Sequence, residues 1–508
     1  MRKHWIQVLS MALVLLLVTG GISIAEEKQE RMPISITVLL GHTQPDSWIE
    51  QQLEEKYNVD ITLIPLPGWT DGQAKLNLLM ADEDQRPDVI WWWGMDKEYL
   101  QWVDAGLLHE LTPYMEKYPN ITGYYNDTTM FYASHSDGKM YRIPGDVAEP
   151  SCMTGWIRKD WLDALDLPVP TTREEFKDTL LKFTFDDPDK NGKDDTYGFS
   201  GAGLDMRGFQ SFWSPYNVDP NNFVVLPDGN VVHGSTEPAV KQALADIADL
   251  YKQGVIDPAI VTRTNDPYEY FINGGHGAFY AWVDWLNPGG HTVRAFRAKN
   301  PTAEIIPIEP IKGPDGLSSD ETENPGAWCY FAITKKAKDP ERIYAMFDDL
   351  LNRETYLFRR WGVEGTHYEI VDGVFSPLVS NEENLAENIG LFYLDFFLNR
   401  KDDANIANTP ETIELFEKRA ITSEPLRQKR VYFKSLERPV WHAYGPDIDK
   451  LRNEVFYGII TGERPIDDFD DYLKQYKELN GDEVNAEATR LYKEQQVEFE
   501  AFKQSFNK

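Results

Sequence analysis

The sequence predicts an α/β protein in which strands alternate with helices. Three observations lead to this fold class. Apolar runs typical of buried strands alternate with amphipathic segments in the first part of the chain. Helix-start signals recur through the rest of the sequence. The chain has 508 residues, 42% of them hydrophobic and 26% charged, which suits two or three compact domains.

The first five predicted elements form an unbroken alternation. The hydrophobic pattern predicts strands over residues 34–40, 59–65 and 88–93. Amphipathic helices are predicted between them, over residues 46–57 and 71–81. Because strands that are joined by helices usually run parallel, this order predicts a parallel sheet with both faces covered.

Capping residues mark the later helices. Thr172 is followed three residues later by Glu175, the pairing of a capping box. Pro238 and Pro340 stand at the first positions of two further predicted helices. From about Asp447 the chain is predicted to be helical and charged. Hydrophobic periodicity continues throughout, so we expect no long linker between domains.

The chain is strongly acidic. It has 83 acidic and 51 basic residues, which gives a formal net charge of −32. Nucleic-acid binding and docking on an anionic membrane both need clustered Lys and Arg, so the composition argues against either partner. The same charge disfavours ligands rich in uronic acid unless Arg or Ca²⁺ offsets it locally.

The N-terminus has the pattern of a secretory signal peptide. Arg2 and Lys3 precede an apolar run over residues 11–18, and small residues ending at Ala25 predict cleavage after that position. The alternative is an uncleaved anchor over residues 6–25, which polar and glycine residues weaken. No Cys follows the apolar run, so we expect a soluble periplasmic or secreted protein without a lipid anchor.

Only two cysteines occur, Cys152 and Cys329. In an oxidising compartment they can form one disulfide. Two buried thiols are the other interpretation, and the spacing does not decide between them.

The segment after the helix that Thr172 begins has the spacing of a calcium-binding loop. Oxygen-bearing side chains alternate around Gly192, as in the first half of an EF-hand loop. Gly198 replaces the acidic residue that would close such a loop, so full EF-hand geometry is not expected. We predict a structural Ca²⁺, and the alternative is a polar turn without metal. The predicted ligands are Asp187, Asp189, Asn191, Asp195 and the backbone carbonyl of Lys193.

Tryptophans are the second functional signal. Trp91, Trp92 and Trp93 lie at the predicted C-terminal end of a strand, where α/β sheets present their ligand crevice. The strand period places Trp91 and Trp93 on one face and Trp92 on the other. Tryptophan can stack on the apolar face of a sugar ring, although a place in the core is the commoner role. Further candidates are Trp69, Trp156, Trp213, Trp282, Trp285, Trp328, Trp361 and Trp441.

The sequence lacks three common enzyme motifs. The chain has no Gly-x-Ser-x-Gly, no His-Glu-x-x-His and no phosphate-binding loop. With so many acidic residues, the sequence alone does not decide whether two carboxylates are spaced for glycoside hydrolysis. Four isolated histidines are predicted to be structural: His42, His276, His367 and His442.

Several short stretches follow one another in an order that is specific to a family. They are residues 86–91, 100–114, 137–144, 158–162, 187–198, 361–373 and 459–470. In this order they resemble the family 1 extracellular solute-binding proteins of ABC importers. The resemblance is to the large class for oligosaccharide uptake, including proteins that bind alginate oligosaccharides.

The resemblance implies a two-lobed periplasmic-binding-protein fold of type II-like topology. Each lobe is expected to be a mainly parallel sheet flanked by helices, with hinge strands between the lobes. Cys152 and Cys329 are then expected on neighbouring hinge strands. The expected segments are a signal peptide (1–25), lobe 1 (26–150 and 329–430), lobe 2 (151–328) and a C-terminal helical segment mainly with lobe 2 (431–508).

The resemblance also implies a non-enzymatic, monomeric receptor that captures an oligosaccharide between closing lobes and delivers it to ABC transporter permease subunits. The alternatives are a secreted polysaccharide-degrading glycoside hydrolase with an acidic, Trp-lined cleft, and a sensory receptor domain. The implied ligand contacts are Trp69, Trp91, Trp93, Trp156, Arg158, Arg207, Trp213, Trp282, Trp285 and Trp361.

Two positions depart from the family pattern. Many members are lipoproteins, and this chain lacks the Cys that would be acylated. In calcium-binding members an acidic residue follows the position of Asp195, where this chain has Thr196. The second departure bears on the affinity for the metal more than on its presence.

Overall fold

The computed structural model describes residues 30–39, 46–67, 69–146, 153–201, 206–262, 272–282, 291–318, 326–327, 329–371, 374–379, 430–434 and 437–506. The predicted signal peptide, Cys152, Trp285, Trp328 and His42 lie outside these ranges. Among the described residues, no helix is both long enough and apolar enough to cross a membrane.

The first part of the chain begins with the predicted alternation. Ser47 caps the first helix by accepting a hydrogen bond from the backbone of Glu50, and the helix ends at Asn58 in a left-handed conformation. The elements are β1 (Met32–Leu39), α1 (Trp48–Tyr57), β2 (Val59–Leu66), α2 (Trp69–Ala81), β3 (Val89–Trp93), α3 (Asp96–Asp104), α4 (Thr112–Met115), α5 (Asn120–Tyr124), α6 (Asp127–Ala133) and β4 (Ile143–Asp146).

The middle of the chain contains shorter strands between helices. Its best-defined helix start is the predicted capping box, in which Thr172 and Glu175 bond each other's backbone, so that prediction is confirmed. The elements are β5 (Met153–Arg158), α7 (Lys159–Ala164), α8 (Arg173–Phe185), β6 (Tyr197–Phe199), α9 (Gln210–Trp213), β7 (Phe223–Val225), β8 (Val231–His233), α10 (Ala239–Lys252), β9 (His276–Trp282), α11 (His291–Lys299) and β10 (Ile305–Ile308).

The last part of the chain is mostly helical. Asp339 caps the helix that starts at Pro340, as the sequence predicts, and the long helix before Gly462 begins at Pro439, earlier than predicted. The elements are β11 (Cys329–Ile333), α12 (Pro340–Asp349), α13 (Arg353–Trp361), β12 (Tyr368–Val371), β13 (Val374–Pro377), α14 (Pro439–Thr461), α15 (Asp468–Glu478) and α16 (Gly481–Phe506).

A five-stranded sheet forms the centre of lobe 1. Its strand order is β2-β1-β3-β11-β4. Strand β1 pairs in parallel with β2 and β3, which confirms the parallel arrangement predicted for the first three strands. Strand β11 pairs antiparallel with β3 on one side and β4 on the other. The large core around this sheet takes side chains from two stretches of the chain, residues 34–143 and 327–351.

A four-stranded sheet forms the centre of lobe 2, and its strand order is β10-β5-β9-β6. Strand β5 is antiparallel to both of its neighbours, and only β6 and β9 pair in parallel. The prediction of a mainly parallel sheet is therefore wrong for this lobe. The strand-helix-strand pattern that predicts parallel pairing occurs in the first part of the chain, and β5 instead comes directly from the other sheet.

The chain crosses between the two sheets more than once. Strand β4 lies in the first sheet and β5 in the second, and the return takes place between β10 and β11. These crossings fall close to the boundaries predicted at residues 150 and 328. The boundaries themselves, and the assignment of residues 380–429, stay predictions.

The last helix contacts both lobes. In its first half, Asn485 and Thr489 accept hydrogen bonds from the backbone of β8, and Val484 is buried in the lobe 2 core. In its second half, the rings of Phe499 and Phe502 lie 5.0 and 5.6 Å from the ring of Phe131 on α6 of lobe 1. Helix α16 therefore bridges the two lobes.

Candidate ligand-binding site

A ligand site is expected at the C-terminal edge of the parallel strands in lobe 1. In α/β sheets, ligands bind outside the carboxyl ends of the strands. Strands β1, β2 and β3 end there at Leu39, Leu66 and Trp93, and the first turns of α2 and α3 follow directly. The structure places Trp93 and the backbone of Trp69 at this edge.

Trp93 is the best-placed of the predicted stacking residues. Its side chain is half-buried, and its ring packs over Gly72 in the first turn of α2, where a Cβ atom would stand 3.1 Å from the ring. Gln73 donates a hydrogen bond of 3.0 Å to the backbone carbonyl of Trp93. Close packing against a glycine fixes the ring at the edge of the sheet while leaving part of it accessible.

The neighbouring tryptophans belong to the core of lobe 1. Trp91 and Trp92 are both 0% exposed. Trp91 packs against Trp93 with ring centroids 4.8 Å apart, and Trp92 stacks on Tyr99 on the opposite face. The alternation predicted from the strand period is therefore confirmed, and in this structure the Trp91 ring has a packing role.

Trp156 and Arg158 lie on β5 of lobe 2, and both are buried. Trp156 belongs to a small apolar cluster with Phe279 and Phe296. The Arg158 guanidinium makes two hydrogen bonds to the Asp160 carboxylate, at 2.6 and 2.7 Å, and a third to a backbone carbonyl. Its charge is thus already neutralised by a paired carboxylate.

The other predicted contacts are spread over both lobes. Trp213 is 0% exposed, and its indole nitrogen donates to the backbone carbonyl of Met206. Arg207 is half-buried in the adjacent turn, and Trp361 is half-buried at the end of α13. Trp282 ends β9, opposite Met153. Contact between any of these residues and a ligand stays a prediction.

A small cavity lies inside lobe 2 where β5, β9 and β10 meet. It is lined by buried residues, Gly155, Tyr280 and Ile308, together with Ser211 and Ser214. A Cβ atom on Gly155 would come within 2.9 Å of Ile308 and 3.2 Å of the Ser211 hydroxyl, so glycine is needed for this packing. The cavity is too small to admit a sugar ring, so it belongs to the packing of lobe 2.

Two buried ionisable groups near the lobe 1 edge escaped sequence reasoning. Glu50 in the first turn of α1 is 3% exposed, and burial, with the nearby Glu54 and Asp46 carboxylates, raises its pKa to about 7. Arg142 lies between the rings of Tyr99 and Tyr330, which stand 4.3 and 3.8 Å from its guanidinium carbon. Long-range packing creates both environments, and no local pattern signals them.

Arg142 is linked to the start of α3. Its guanidinium donates to Asp96 at 3.3 Å and to the backbone carbonyls of Tyr132 and Ala133 at the end of α6. Asp96 is therefore held at the C-terminal edge of the sheet, with its charge facing a buried cation.

The predicted calcium loop folds around one side chain. The Asn191 side-chain nitrogen donates to Asp189 at 2.8 Å and to Asp195 at 3.0 Å. The backbone of Asn191 and Gly192 donates to Asp187, and Gly192 has a φ of 75° that glycine adopts readily. Desolvation within the loop and the carboxylates of Asp187 and Asp195 raise the pKa of Asp189.

The donor chemistry of this loop fits Ca²⁺, which prefers carboxylate and carbonyl oxygens. The side-chain oxygens of Asp187, Asp189 and Asp195 all point into the loop, toward the Asn191 amide. Within the described ranges, however, no three His, Cys, Asp or Glu side chains stand close enough together to hold a metal ion. Binding would need the Asn191 side chain to rotate and present its oxygen.

The buried histidines have structural partners. His233 Nδ1 and the Ser235 hydroxyl lie 2.6 Å apart, both side chains are 1% exposed or less, and burial lowers the pKa of His233 to about 3. His276 Nε2 lies 3.1 Å from the Asp257 carboxylate, which also accepts from Ser200. Each group joins strands or helices inside lobe 2.

Two sheets joined by crossing segments, with aromatic side chains at a sheet edge, define the class of two-lobed α/β binding proteins. The chain belongs to the bacterial extracellular solute-binding protein family, whose model matches residues 41–355.

Relatives of this chain match over almost its whole length. It is 26% identical to lipoprotein LipO of Bacillus subtilis, over 97% of this chain and 98% of the relative. It is 25% identical to the polygalacturonan/rhamnogalacturonan-binding protein YtcQ of the same organism, over 95% of this chain and 98% of the relative.

Solved structures show the same fold. The calcium-free alginate-binding protein AlgQ2 matches with a TM-score of 0.70 and 21% identity, over 92% of this chain and 98% of the other. The ABC-transporter substrate-binding protein FusA of Streptococcus pneumoniae, in complex with kestose, matches with a TM-score of 0.69 and 18% identity, over 92% and 100%. The predicted two-lobed α/β fold is thereby confirmed.

Proposed function

We propose that this protein captures an oligosaccharide between its two lobes and delivers it to the permease of an ABC transporter. Membership of the extracellular solute-binding family carries the proposal. The names of relatives support it, since YtcQ is described as binding polygalacturonan and rhamnogalacturonan, AlgQ2 as binding alginate and FusA as a transporter component.

In the proposed complex, tryptophan side chains from both lobes stack on the sugar rings. Trp93 and Trp69 contribute from the edge of the lobe 1 sheet, and Trp282 contributes from the end of β9 in lobe 2. Exposure favours Trp93 over Trp91 and Trp213, because the Trp93 ring is partly accessible while the other two are packed in cores. Closure of the lobes about the crossing segments would bring the side chains of the two lobes together.

We propose a binding role without catalysis. The family is one of binding proteins, and the hydrolase alternative gains no support from the relatives. The two His-containing clusters of lobe 2 hold strands and helices together, and the low pKa of His233 keeps its imidazole neutral near pH 7.

We propose a structural Ca²⁺ in the loop that follows α8. Asp187, Asp189, Asn191, Asp195 and the carbonyl of Lys193 would hold the ion, which would supply positive charge to a crowded set of carboxylates. The loop leads directly into β6, so its order supports the pairing of β6 with β9. The name of AlgQ2, which specifies a calcium-free form, supports a calcium site in a structural neighbour.

The remaining proposals concern the mature protein. We propose that cleavage after Ala25 releases a soluble monomer outside the cytoplasm, although one relative is named a lipoprotein. We also propose lobe 1 over residues 26–150 and 329–430, lobe 2 over 151–328 and the C-terminal segment over 431–508. Mass spectrometry of the secreted protein checks the cleavage site and the absence of a lipid.

A ligand screen by thermal shift tests the main proposal. The mature protein is heated with neutral and acidic oligosaccharides, and a ligand at 100 times its Kd adds about 2.7 kcal/mol of stability. We expect a rise in Tm with one glycan class and recovery of that glycan unchanged. No shift with any glycan contradicts carbohydrate binding, and shortening of the glycan by catalytic amounts of protein favours the hydrolase.

A further inference from the structure

A short segment ties lobe 1 to the C-terminal helices. Residues 430–434 begin beside β7 of lobe 2, where the backbone N–H of Val431 donates a hydrogen bond to the carbonyl of Phe223. Tyr132 of lobe 1 then donates to the carbonyl of Tyr432 at 3.0 Å, and Lys434 donates to Ser134 at 3.0 Å. Helix α14 of lobe 2 starts a few residues later. The residue that precedes this helix, Arg438, therefore lies at the junction of the lobes.

The Arg438 guanidinium is held in place by aromatic rings. Its central carbon lies 4.8 Å from the ring of Phe433 and 6.0 Å from the ring of Trp441. The Trp441 ring in turn stacks on the buried His233 at 5.7 Å. Contacts of this kind fix the position of a cation without neutralising it.

No carboxylate in the described part of the chain makes a direct ion pair with Arg438, although the charges of Asp96 and Glu487 act on it from a distance. Within the described ranges its guanidinium has no hydrogen-bond acceptor and no ion-pair partner. The two carboxylates whose charge acts on it, Asp96 and Glu487, are already engaged. Asp96 pairs with Arg142, and Glu487 accepts both the Val440 and the Trp441 backbone N–H groups.

This arrangement is unusual in so acidic a chain. With a net charge of −32, carboxylates are abundant, and Arg142, Arg158, Arg452 and Arg464 each have one within hydrogen-bond distance. A half-buried guanidinium without an acceptor loses hydration and gains no ion pair in return. In agreement, burial lowers the pKa of Arg438. A bound anion would offset this cost.

We propose that Arg438 binds the carboxylate of an acidic sugar, so that the ligand of this protein is an oligosaccharide that contains uronic acid. The inference rests on the proposed function and names its substrate class. A guanidinium matches a carboxylate with two parallel hydrogen bonds. The segment before Arg438 contacts lobe 1 through Tyr132 and lobe 2 through Phe223, so an anion beside Arg438 would sit at the junction of the lobes.

Matched probes test the charge directly. Binding of the full mature chain is measured by calorimetry with oligomers of galacturonate, mannuronate and guluronate, and with their methyl esters, which keep the size and lose the charge. Neutral oligosaccharides complete the set. We expect the acid form to bind about ten- to a hundredfold more tightly than its ester, the range of a charge-assisted hydrogen bond.

Three variants test whether the effect belongs to this residue. Arg438→Gln should remove the preference for the acid form, whereas Arg490→Gln should keep it, because Arg490 is exposed on α16 and paired with Glu494. Arg438→Met should not lower the Tm without ligand, since no acceptor loses its partner. A sharp fall in that Tm would show a structural role and overturn the proposal.

The remaining outcomes separate this inference from the proposed function. Tight binding of a neutral oligosaccharide with no preference for acids overturns the role of Arg438 and leaves the receptor intact. An unchanged acid preference in Arg438→Gln does the same. Failure of every carbohydrate to bind overturns both.

Discussion

At the residue scale, exposure divides the described tryptophans into partly accessible and fully buried ones. Trp93 packs over Gly72 with part of its ring accessible, whereas Trp161 is buried against Phe183 with ring centroids 5.4 Å apart. A ligand can stack on the first ring without unfolding any part of the lobe. The second ring is available only to the core.

We expect Trp93→Ala to weaken oligosaccharide binding by about tenfold or more, because truncating an aromatic anchor usually costs at least that much. Calorimetry with the glycan found by thermal shift measures the effect. As a control, Trp161→Phe should lower the Tm and leave the Kd unchanged. Equal affinity of the Trp93→Ala variant and the parent would show that the ring does not contact the ligand.

His233 predicts a dependence of stability on pH. Burial and then the Arg452 charge lower its pKa from 6.5 to about 3; Asp449, 3.9 Å away, is too distant for a hydrogen bond and pairs with Arg452 at 2.8 Å instead. The folded protein keeps the imidazole neutral where the unfolded chain protonates it. The stabilisation is complete above pH 6.5 and is lost as the pH falls toward 3.

Unfolding in urea at pH 7, 6, 5 and 4 tests this dependence. The contribution of His233 changes by up to about 1.4 kcal/mol per pH unit. The free energy of unfolding of His233→Gln should therefore fall less steeply than that of the parent. Parallel pH curves for the two proteins would contradict the assignment.

The sequence predicts single residues well where the cause is local. The Thr172–Glu175 capping box and the opposite faces of Trp91 and Trp92 follow from helix and strand geometry. Arg142 and Arg438 could not be predicted, since their surroundings come from segments far away in the chain. Which side chains face a ligand is decided by the same long-range packing.

At the element scale, the loop after α8 couples metal binding to the lobe 2 sheet. We expect millimolar Ca²⁺ to raise the Tm and EGTA to reverse the rise. Asp189→Ala should abolish the response, because it removes a carboxylate from the centre of the loop. Asp228→Ala, in the exposed turn between β7 and β8 where Asp228 also bonds an Asn, is the matched control and should keep it.

Strand direction shows what element patterns can and cannot predict. Strands β1, β2 and β3 are parallel because helices connect them, and this order is visible in the sequence. In lobe 2, β5 comes from the other sheet and pairs antiparallel with β9 and β10. Its direction depends on where the chain enters the lobe, which hydrophobic period does not encode.

At the scale of the whole molecule, α16 limits how the lobes move relative to each other. Its first half is fixed on β8, and Gln495 donates to the carbonyl of Tyr432 at 2.7 Å in the crossing segment. Its last turns pack on α6 through Phe499 and Phe502. A helix attached at both ends makes lobe rotation depend on breaking one set of contacts.

We expect the double variant Phe499→Ala/Phe502→Ala to broaden the range of lobe orientations without ligand, because the helix keeps its lobe 2 contacts and loses those to lobe 1. Small-angle X-ray scattering should give a larger radius of gyration. Val497→Ala, at a position 73% exposed on the same helix, is the control and should scatter like the parent. Identical scattering of the double variant would contradict a bridging role.

Strand β11 also determines the order in which the molecule can be assembled. It lies between β3 and β4 in the lobe 1 sheet, yet the whole of the lobe 2 sheet is synthesised between β4 and β11. Until then β3 and β4 have open edges, and the closing of so long a loop is slow. Lobe 1 therefore cannot complete its sheet until the residues of lobe 2 have been synthesised. A chain that folds late is still unfolded when it reaches a secretion channel, and such a channel passes unfolded chains.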